Sequence, residues 1–339
     1  MARAATPAID RARSLLDGGL KQAVQGLDPL SRRVADYHLG LANADGAPAQ
    51  AGSGKGIRGT LAILSARVAG AQPREGVPTA VGIELVHQYS LLHDDIIDRD
   101  GSRRHRPAAW TVFGSERAIL AGDSLAALAL EVVLAAQHQP GRASAAALLA
   151  GATRRMVAGQ AADIAFETAP AVSLDEALAM VADKTGALVE CAASIGALAL
   201  GADVPVVAAL ADYGRHLGLA FQLVDDLIGL WGEPGRTGKP VGSDIASRKK
   251  SLPVVAALAA GGAAANRLVG IYARPGELGT GEVAAALDAV EGAGGRRWAA
   301  AEADRETAAA LRILEGIPMD DGVRGDLVAL TRELCSRDH

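Results

Sequence analysis

Leu91-Leu92-His93-Asp94-Asp95-Ile96-Ile97-Asp98 closes an apolar run that begins near Val77 and keeps the period of a helix. Three carboxylates at the end of such a run are costly. On a helix Asp94 and Asp98 stand at i and i+4, and Asp95 and Asp98 at i and i+3, so their side chains converge on one face. Like charges that close repel unless a cation joins them. Carboxylate oxygens suit a hard divalent ion such as magnesium, which keeps some waters and takes its other ligands from phosphates. Met once, a DDxxD could equally be a solvated helix end.

The pattern recurs. Ala220-Phe221-Gln222-Leu223-Val224-Asp225-Asp226 again ends an apolar helical run with paired carboxylates. Two such clusters point to a cavity with acidic walls facing each other, where several magnesium ions hold a diphosphate. Small cationic groups accompany them: Arg103 and Arg104 just after the first, Lys184 in Asp183-Lys184-Thr185-Gly186, and Lys239, Lys249 and Lys250 after the second. Each alone reads as surface solvation. With the acidic pairs, they are what the non-ester oxygens of a diphosphate need.

Outward from these clusters the chain reads as helix throughout. Leu15, Leu16, Leu20, Val24 and Leu27 recur at helical spacing between Ile9 and about Leu41, and Asn43 to Gly56 is a loop crowded with Gly, Pro, Ser and Asn. Helical patterns follow over about 57–70, 77–99, 115–137, 142–168, 173–201 and 203–230. Trp231 to Pro240 is a loop broken by prolines and glycines, helices resume near Asp244, Pro275 to Gly281 breaks them again, and the last ends near Cys335. No useful alternating run predicts a strand. The expected fold is all-α, a single domain of bundled or orthogonal helices, with residues 1–50 as an N-terminal helical segment and 51–336 as the catalytic part.

Composition narrows the partners. Half of the 339 residues are hydrophobic but only 3% are aromatic, so the core is built from Ala, Leu and Val. A net charge of -5 argues against nucleic acid, which requires a basic surface. Cys191 and Cys335 stand alone, as reduced thiols do in the cytoplasm. No signal-peptide core is expected at the N-terminus, and the apolar windows at 118–136 and 186–210 are interrupted by acids, so they read as buried helices rather than transmembrane spans. Gly52-Ser53-Gly54-Lys55-Gly56 looks like a phosphate loop, but no Ser or Thr follows the lysine and no strand precedes it. His38, His138, His216 and His339 carry no partner pattern, and Tyr213, Trp110, Trp231 and Trp298 read as packing residues.

From about residue 50 to 255 the motifs, in order and spacing, resemble the trans-isoprenyl diphosphate synthases, or polyprenyl synthetases. They are Gly54-Lys55-Gly56-Ile57-Arg58, Glu84-Leu85-Val86-His87, Asp94 to Asp98 with Arg103-Arg104, Gly159-Gln160-Ala161-Ala162-Asp163, Lys184-Thr185-Gly186, Phe221-Gln222 to Asp226, and Gly238-Lys239 through Asp244, Lys249 and Pro253. The resemblance implies an isoprenoid-synthase-type bundle around a central acidic cavity. It implies magnesium ligation by Asp94 and Asp98, with Asp95 in support, and by Asp225 from the opposite wall, with three Mg2+ ions when substrate is bound. Arg103, Lys184 and Lys249, with Lys239 nearby, would grip an allylic diphosphate; Lys55, Arg58, His87 and Arg104 would hold isopentenyl diphosphate; Thr185 and Gln222 would line the path of the developing cation. It also implies a homodimer.

The match has departures. Position 229 is glycine where the second motif should carry a third aspartate, from which weaker magnesium affinity is expected; positions 56 and 105 are glycine and histidine where many members have arginine and glycine. In the family the residues one turn before the first cluster floor the pocket for the growing chain. Tyr89 and Ser90 occupy that place, so geranylgeranyl diphosphate is the expected product and farnesyl diphosphate the next. Two rival readings are a class I terpene cyclase, which has no reason to keep Lys55, Arg58, His87 and Arg104, and a non-catalytic subunit of a heteromeric synthase, which has no reason to keep Asp94, Asp95 and Asp98.

Overall fold

A computed structural model describes residues 6–49, 54–233 and 241–336. The chain opens with α1 (Pro7–Ala23) and α2 (Pro29–His38), each with proline in its first turn and capped by Thr6 and Asp28 respectively. The central helices are α3 (Ile57–Val68), α4 (Val77–Ile97), α5 (Ala109–Phe113), α6 (Ser115–Ala135) and α7 (Arg142–Thr168). They continue through α8 (Leu174–Val181), α9 (Ala187–Ala199) and α10 (Val204–Trp231). The C-terminal part comprises α11 (Ser243–Ala246), α12 (Leu252–Ala260), α13 (Gly262–Tyr272), α14 (Thr280–Gly292), α15 (Gly295–Gly316) and α16 (Asp321–Cys335). The expected all-α class holds. A small hairpin, Ser102–Arg103 paired antiparallel with Arg106–Pro107, is the sheet formed among the described residues.

Helices α4 and α10 and the turn leading into α9 lie at the centre and are wrapped by the rest. α4 packs on α6 and α3, α9 on α3, α7 and α10, and α10 on α15. Burial on most sides explains why α4 is apolar nearly all round rather than amphipathic. Leu61, Ile63, Leu64, Ile83, Leu85, Leu92 and Leu125 are among the largest fully buried side chains, with Tyr213 the aromatic in that group. Small residues elsewhere let helix axes come close. Tyr213 keeps its hydroxyl satisfied by Thr331 at 2.9 Å, as a buried phenol must.

The N-terminal helices belong to this core: Ile9, Leu16, Leu20, Val34 and Leu39 join the same apolar cluster as α4 and α9. They are tied to the C-terminus as well, since Thr6 donates to Asp326 (2.8 Å), Arg67 pairs with the same carboxylate (2.6 Å) and Arg13 reaches Glu333 (2.8 Å). Helix α6 is the one described helix long and apolar enough to cross a membrane by length and composition; it packs on α4, α2 and α7 but leaves Ile119, Leu120 and Leu134 exposed.

Candidate active site

The first acidic cluster forms where α4 stops. Asp98 is the C-cap, its N–H bonding to Asp94 O at 2.8 Å, and Arg99 takes the left-handed conformation that ends the helix. The carboxylates therefore sit at the negative end of the helix dipole, which raises the cost of their charge. Asp94 is half-buried, and burial, with Asp98 adding to it and Lys184 opposing, raises its pKa to about 6. Asp98 is also raised, again chiefly by burial. Asp95 points elsewhere: it is buried and its Oδ1 accepts from Arg103 Nε (2.9 Å) and Nη2. One member of the motif thus orients an arginine while the other two remain available.

The second cluster divides in the same way. Asp226 is buried, accepting from Gln222 Nε2 (2.8 Å) and from the Leu252 backbone (2.8 Å), so it fastens α10 to α12. Asp225 is exposed on the cavity side. Lys249 sits among Asp226, Asp244, Asp225 and Asp163, whose charges outweigh its burial and raise its pKa. Lys250 instead donates to the carbonyls of Phe166 and Ala169, closing the C-terminus of α7.

Between the two clusters the chain makes one π-helical turn, Ala182–Gly186, joining α8 to α9. Periodicity read 173–201 as one continuous helix; the extra residue in this turn was not foreseen. π-turns recur at functional sites, and this one supplies Lys184 and Thr185. Lys184 Nζ meets Asp163 Oδ2 at 2.5 Å, and Thr185 Oγ1 donates to Gln222 Oε1 at 2.8 Å. Gly159 makes the crossing possible, because a Cβ there would lie 2.2 Å from the Lys184 backbone nitrogen. The partner of Lys184 was missed in the sequence, although Asp163 stands one helical turn after Gly159 and so had to arrive beside that crossing.

Two hollows share Lys184 and Thr185. One, of about 370 Å³, runs from Asp94 past Arg58, His87, Tyr89, Ser90 and His93 to Ile97, Val157 and Ile164. The other, of about 180 Å³, is lined by Asp163, Gln222, Asp225, Asp226 and Lys249. Two rings in the lining of the first pack against each other. The Tyr89 and His93 rings meet edge to face at 4.8 Å, and His93 Nε2 reaches Ile119 O at 3.1 Å beside Gly122.

Arg58 Nη1 lies 3.2 Å from His87 Nε2, and Arg104 Nη2 donates to Gln88 Oε1 at 3.2 Å. Gln88 in turn donates to buried Glu84 at 2.7 Å. Burial, then the charges of Arg58 and Arg104, hold the His87 pKa well below 6.5, so its ring is neutral and Nε2 accepts from Arg58. Lys55 is exposed at the mouth of the α3 turn, and Lys239 lies outside the described residues.

His38 is buried next to this group, and burial together with Arg104 lowers its pKa to about 3. A histidine depressed in the folded state contributes full stability above its unfolded pKa of about 6.5 and loses it as pH falls toward about 3. Asp94 and Asp226, raised to about 6, work in the opposite sense and partly mask the loss. The difference in unfolding free energy between wild type and His38→Gln isolates the histidine. It should shrink by up to about 1.4 kcal/mol per pH unit between pH 6.5 and 4, and a difference constant with pH in urea titrations would rule this out.

Gly229 has a carboxylate against it. A Cβ on Gly229 would stand 2.6 Å from Asp244 Oδ2 and 3.0 Å from Asp244 Cγ. The acid absent from α10 is thus matched by one arriving from α11, a contact invisible in local spacing.

The chain is similar to known proteins over nearly its whole length. The polyprenyl synthetase family model matches residues 48–290. The chain is 44% identical to a (2E,6E)-farnesyl diphosphate synthase of Mycobacterium bovis over 99% of this chain and 94% of that one. It is 40% identical to a geranylgeranyl diphosphate synthase of Mycobacterium tuberculosis over 97% and 93%. The crystal structure of a polyprenyl synthetase from Streptomyces coelicolor A3(2) superposes with a TM-score of 0.93 at 47% identity, covering 98% of this chain and all of that one (100%). With its facing acidic clusters and its separate arginine–histidine group, the chain belongs to the polyprenyl synthetase family and is a short-chain prenyltransferase that joins an allylic diphosphate to isopentenyl diphosphate.

Proposed function

We propose that the main product is geranylgeranyl diphosphate, with the allylic diphosphate bound between the two acidic clusters and its chain running toward Tyr89. The observation that carries this is the 370 Å³ hollow, which starts at Asp94, Lys184 and Thr185 and continues beside Ser90 toward Val157 and Ile164. Ser90 is small and turns its hydroxyl back to His87 O at 2.8 Å, which leaves room for a growing chain, whereas Tyr89 braced on His93 limits it. Tyr89→Ala should lengthen the product by one or more five-carbon units. Mass spectrometry of the phosphatase-treated products checks this, and an unchanged spectrum removes Tyr89 as the floor.

The donor set suits magnesium. Its donors are the carboxylates of Asp94, Asp98 and Asp225, and Lys184 opposes the burial that raises the Asp94 pKa to about 6. That is the arrangement expected where substrate phosphates complete the coordination. Magnesium held by Asp94 and Asp98 on one wall and by Asp225, with Asp244 at the vacancy of Gly229, on the other would supply the charge that makes diphosphate a leaving group.

The chain's own groups do the rest. Arg103, fixed by Asp95, and Lys184, fixed by Asp163, present cations to the allylic diphosphate, joined by Lys249. Arg58, neutral His87 and Arg104, with Lys55, hold isopentenyl diphosphate so that its double bond approaches the ionised carbon. The Thr185 and Gln222 oxygens lie along that path, and the apolar lining of Ile97, Met156, Val157, Ile164 and Leu188 excludes water. A proton then leaves, taken by the departed diphosphate. The Arg58–His87 and Arg104–Gln88–Glu84 group supports the synthase reading over a cyclase, which uses no second diphosphate.

The N-terminal segment (1–50) and the catalytic part (51–336) form one domain in this reading, supported by their shared core. The protein is a cytoplasmic homodimer. The exposed Ile119, Leu120 and Leu134 on α6 support the dimer, and the free thiols of Cys191 and Cys335 fit the compartment.

A further inference from the structure

Arg103 and Arg104 sit on the hairpin formed by Ser102–Arg103 and Arg106–Pro107, in which Arg103 pairs with Arg106. The two residues of its turn, Arg104 and His105, have φ of 52° and 60°. Positive φ at both central positions is the mark of a type I′ turn, in which asparagine and glycine are preferred because other side chains are strained there. Here neither residue relieves the strain. Contacts from outside the hairpin must hold it.

Those contacts come from the end of α2 and the residues just beyond it. Tyr37 OH donates to Pro107 O at 2.9 Å. Arg106 donates to Tyr37 O (3.2 Å) and Ala42 O (3.1 Å), and its guanidinium lies 4.3 Å from the centroid of the Tyr37 ring. Arg104 Nη1 lies 3.5 Å from His38 O. The two arginines differ in their anchorage. Arg103 is fixed independently by its two bonds to Asp95, whereas Arg104 has the single Gln88 side-chain bond and the 37–42 segment.

We propose that Tyr37 and Arg106 are positioning residues for isopentenyl diphosphate: they clamp a strained turn so that Arg104 points at the second diphosphate. This gives the N-terminal segment a part in catalysis beyond packing. It rests on the reading of Arg104 as a ligand of isopentenyl diphosphate, and Arg104→Gln serves as the control for that reading.

The test is steady-state kinetics with each substrate varied in turn, on the full-length protein with saturating magnesium. Tyr37→Phe keeps the buried ring and loses one hydrogen bond; Arg106→Gln loses both carbonyl bonds and the stacking. KM for isopentenyl diphosphate should rise about threefold in the first and about tenfold in the second, with KM for the allylic substrate within twofold of wild type. His105→Gly, which removes the strain at one of the two turn positions, should recover part of the loss in the Arg106→Gln background. Unchanged KM for isopentenyl diphosphate in both variants, an equal rise for both substrates, or no recovery with His105→Gly overturns the clamp. If Arg104→Gln itself leaves that KM unchanged, the assignment of Arg104 falls and the clamp with it.

Discussion

Asp94→Asn is expected to lower kcat/KM about a thousandfold while making the substrate-free protein more stable. Loss of a preorganised electrostatic partner at a developing charge commonly costs two to three orders of magnitude. The stability gain follows from the sign of the pKa shift. Burial raises Asp94 to about 6 against an ordinary value of 3.8, so its contribution to stability is full below the unfolded pKa and is lost as pH rises through about 6. At pH 7.5 the anion therefore costs about 1 to 3 kcal/mol, which neutral asparagine recovers. Thermal melts with kinetics on the same sample test both halves. A variant that loses activity and stability together would mean that Asp94 is structural, and one that keeps its activity would remove Asp94 from the cation site.

Gly229→Asp restores the three-acid pattern on paper but should reduce activity about ten- to a hundredfold. The new Cβ would lie 2.6 Å from Asp244 Oδ2, so it overpacks the contact and sets a second carboxylate beside one already there. The atoms met are the end of the Asp244 side chain, so the cost lies in turning that carboxylate aside and in the repulsion between the two acids. Asp244 would also be pushed from Lys249, now 3.8 Å away. Adding Asp244→Ala opens the space the new side chain needs, and the double variant should recover to within about threefold of wild type in both rate and half-saturating magnesium. Recovery identifies the two positions as alternative sources of one carboxylate. A single Gly229→Asp variant with tighter magnesium dependence would instead mean that the third acid is simply missing.

Local periodicity carried most of the fold because helices are local. The spacing predicted helices over 57–70, 77–99 and 115–137, and they form at Ile57–Val68, Val77–Ile97 and Ser115–Ala135. The acidic clusters were legible for the same reason, since i and i+4 neighbours need no tertiary information. What spacing could not give is which member of each cluster faces the cavity. Asp95 and Asp226 are turned away by partners 8 and 26 residues distant, Arg103 and the Leu252 backbone. The same limit hid Asp163 beside Lys184, Asp244 against Gly229 and Tyr37 against the 102–107 hairpin. His216, which carried no partner pattern, meets Glu306 from α15, a residue 90 positions away. The π-turn at 182–186 escaped because an added residue shifts facing without breaking the apolar run.

The most direct measurement incubates the purified protein with magnesium and isopentenyl diphosphate plus, separately, dimethylallyl, geranyl or farnesyl diphosphate, and identifies the products by mass spectrometry with and without phosphatase. The account predicts a twenty-carbon prenyl alcohol from every starter, seen only when isopentenyl diphosphate was present and only after phosphatase. A hydrocarbon or alcohol released without isopentenyl diphosphate or phosphatase would contradict it, and so would a fifteen-carbon end product that farnesyl diphosphate fails to extend.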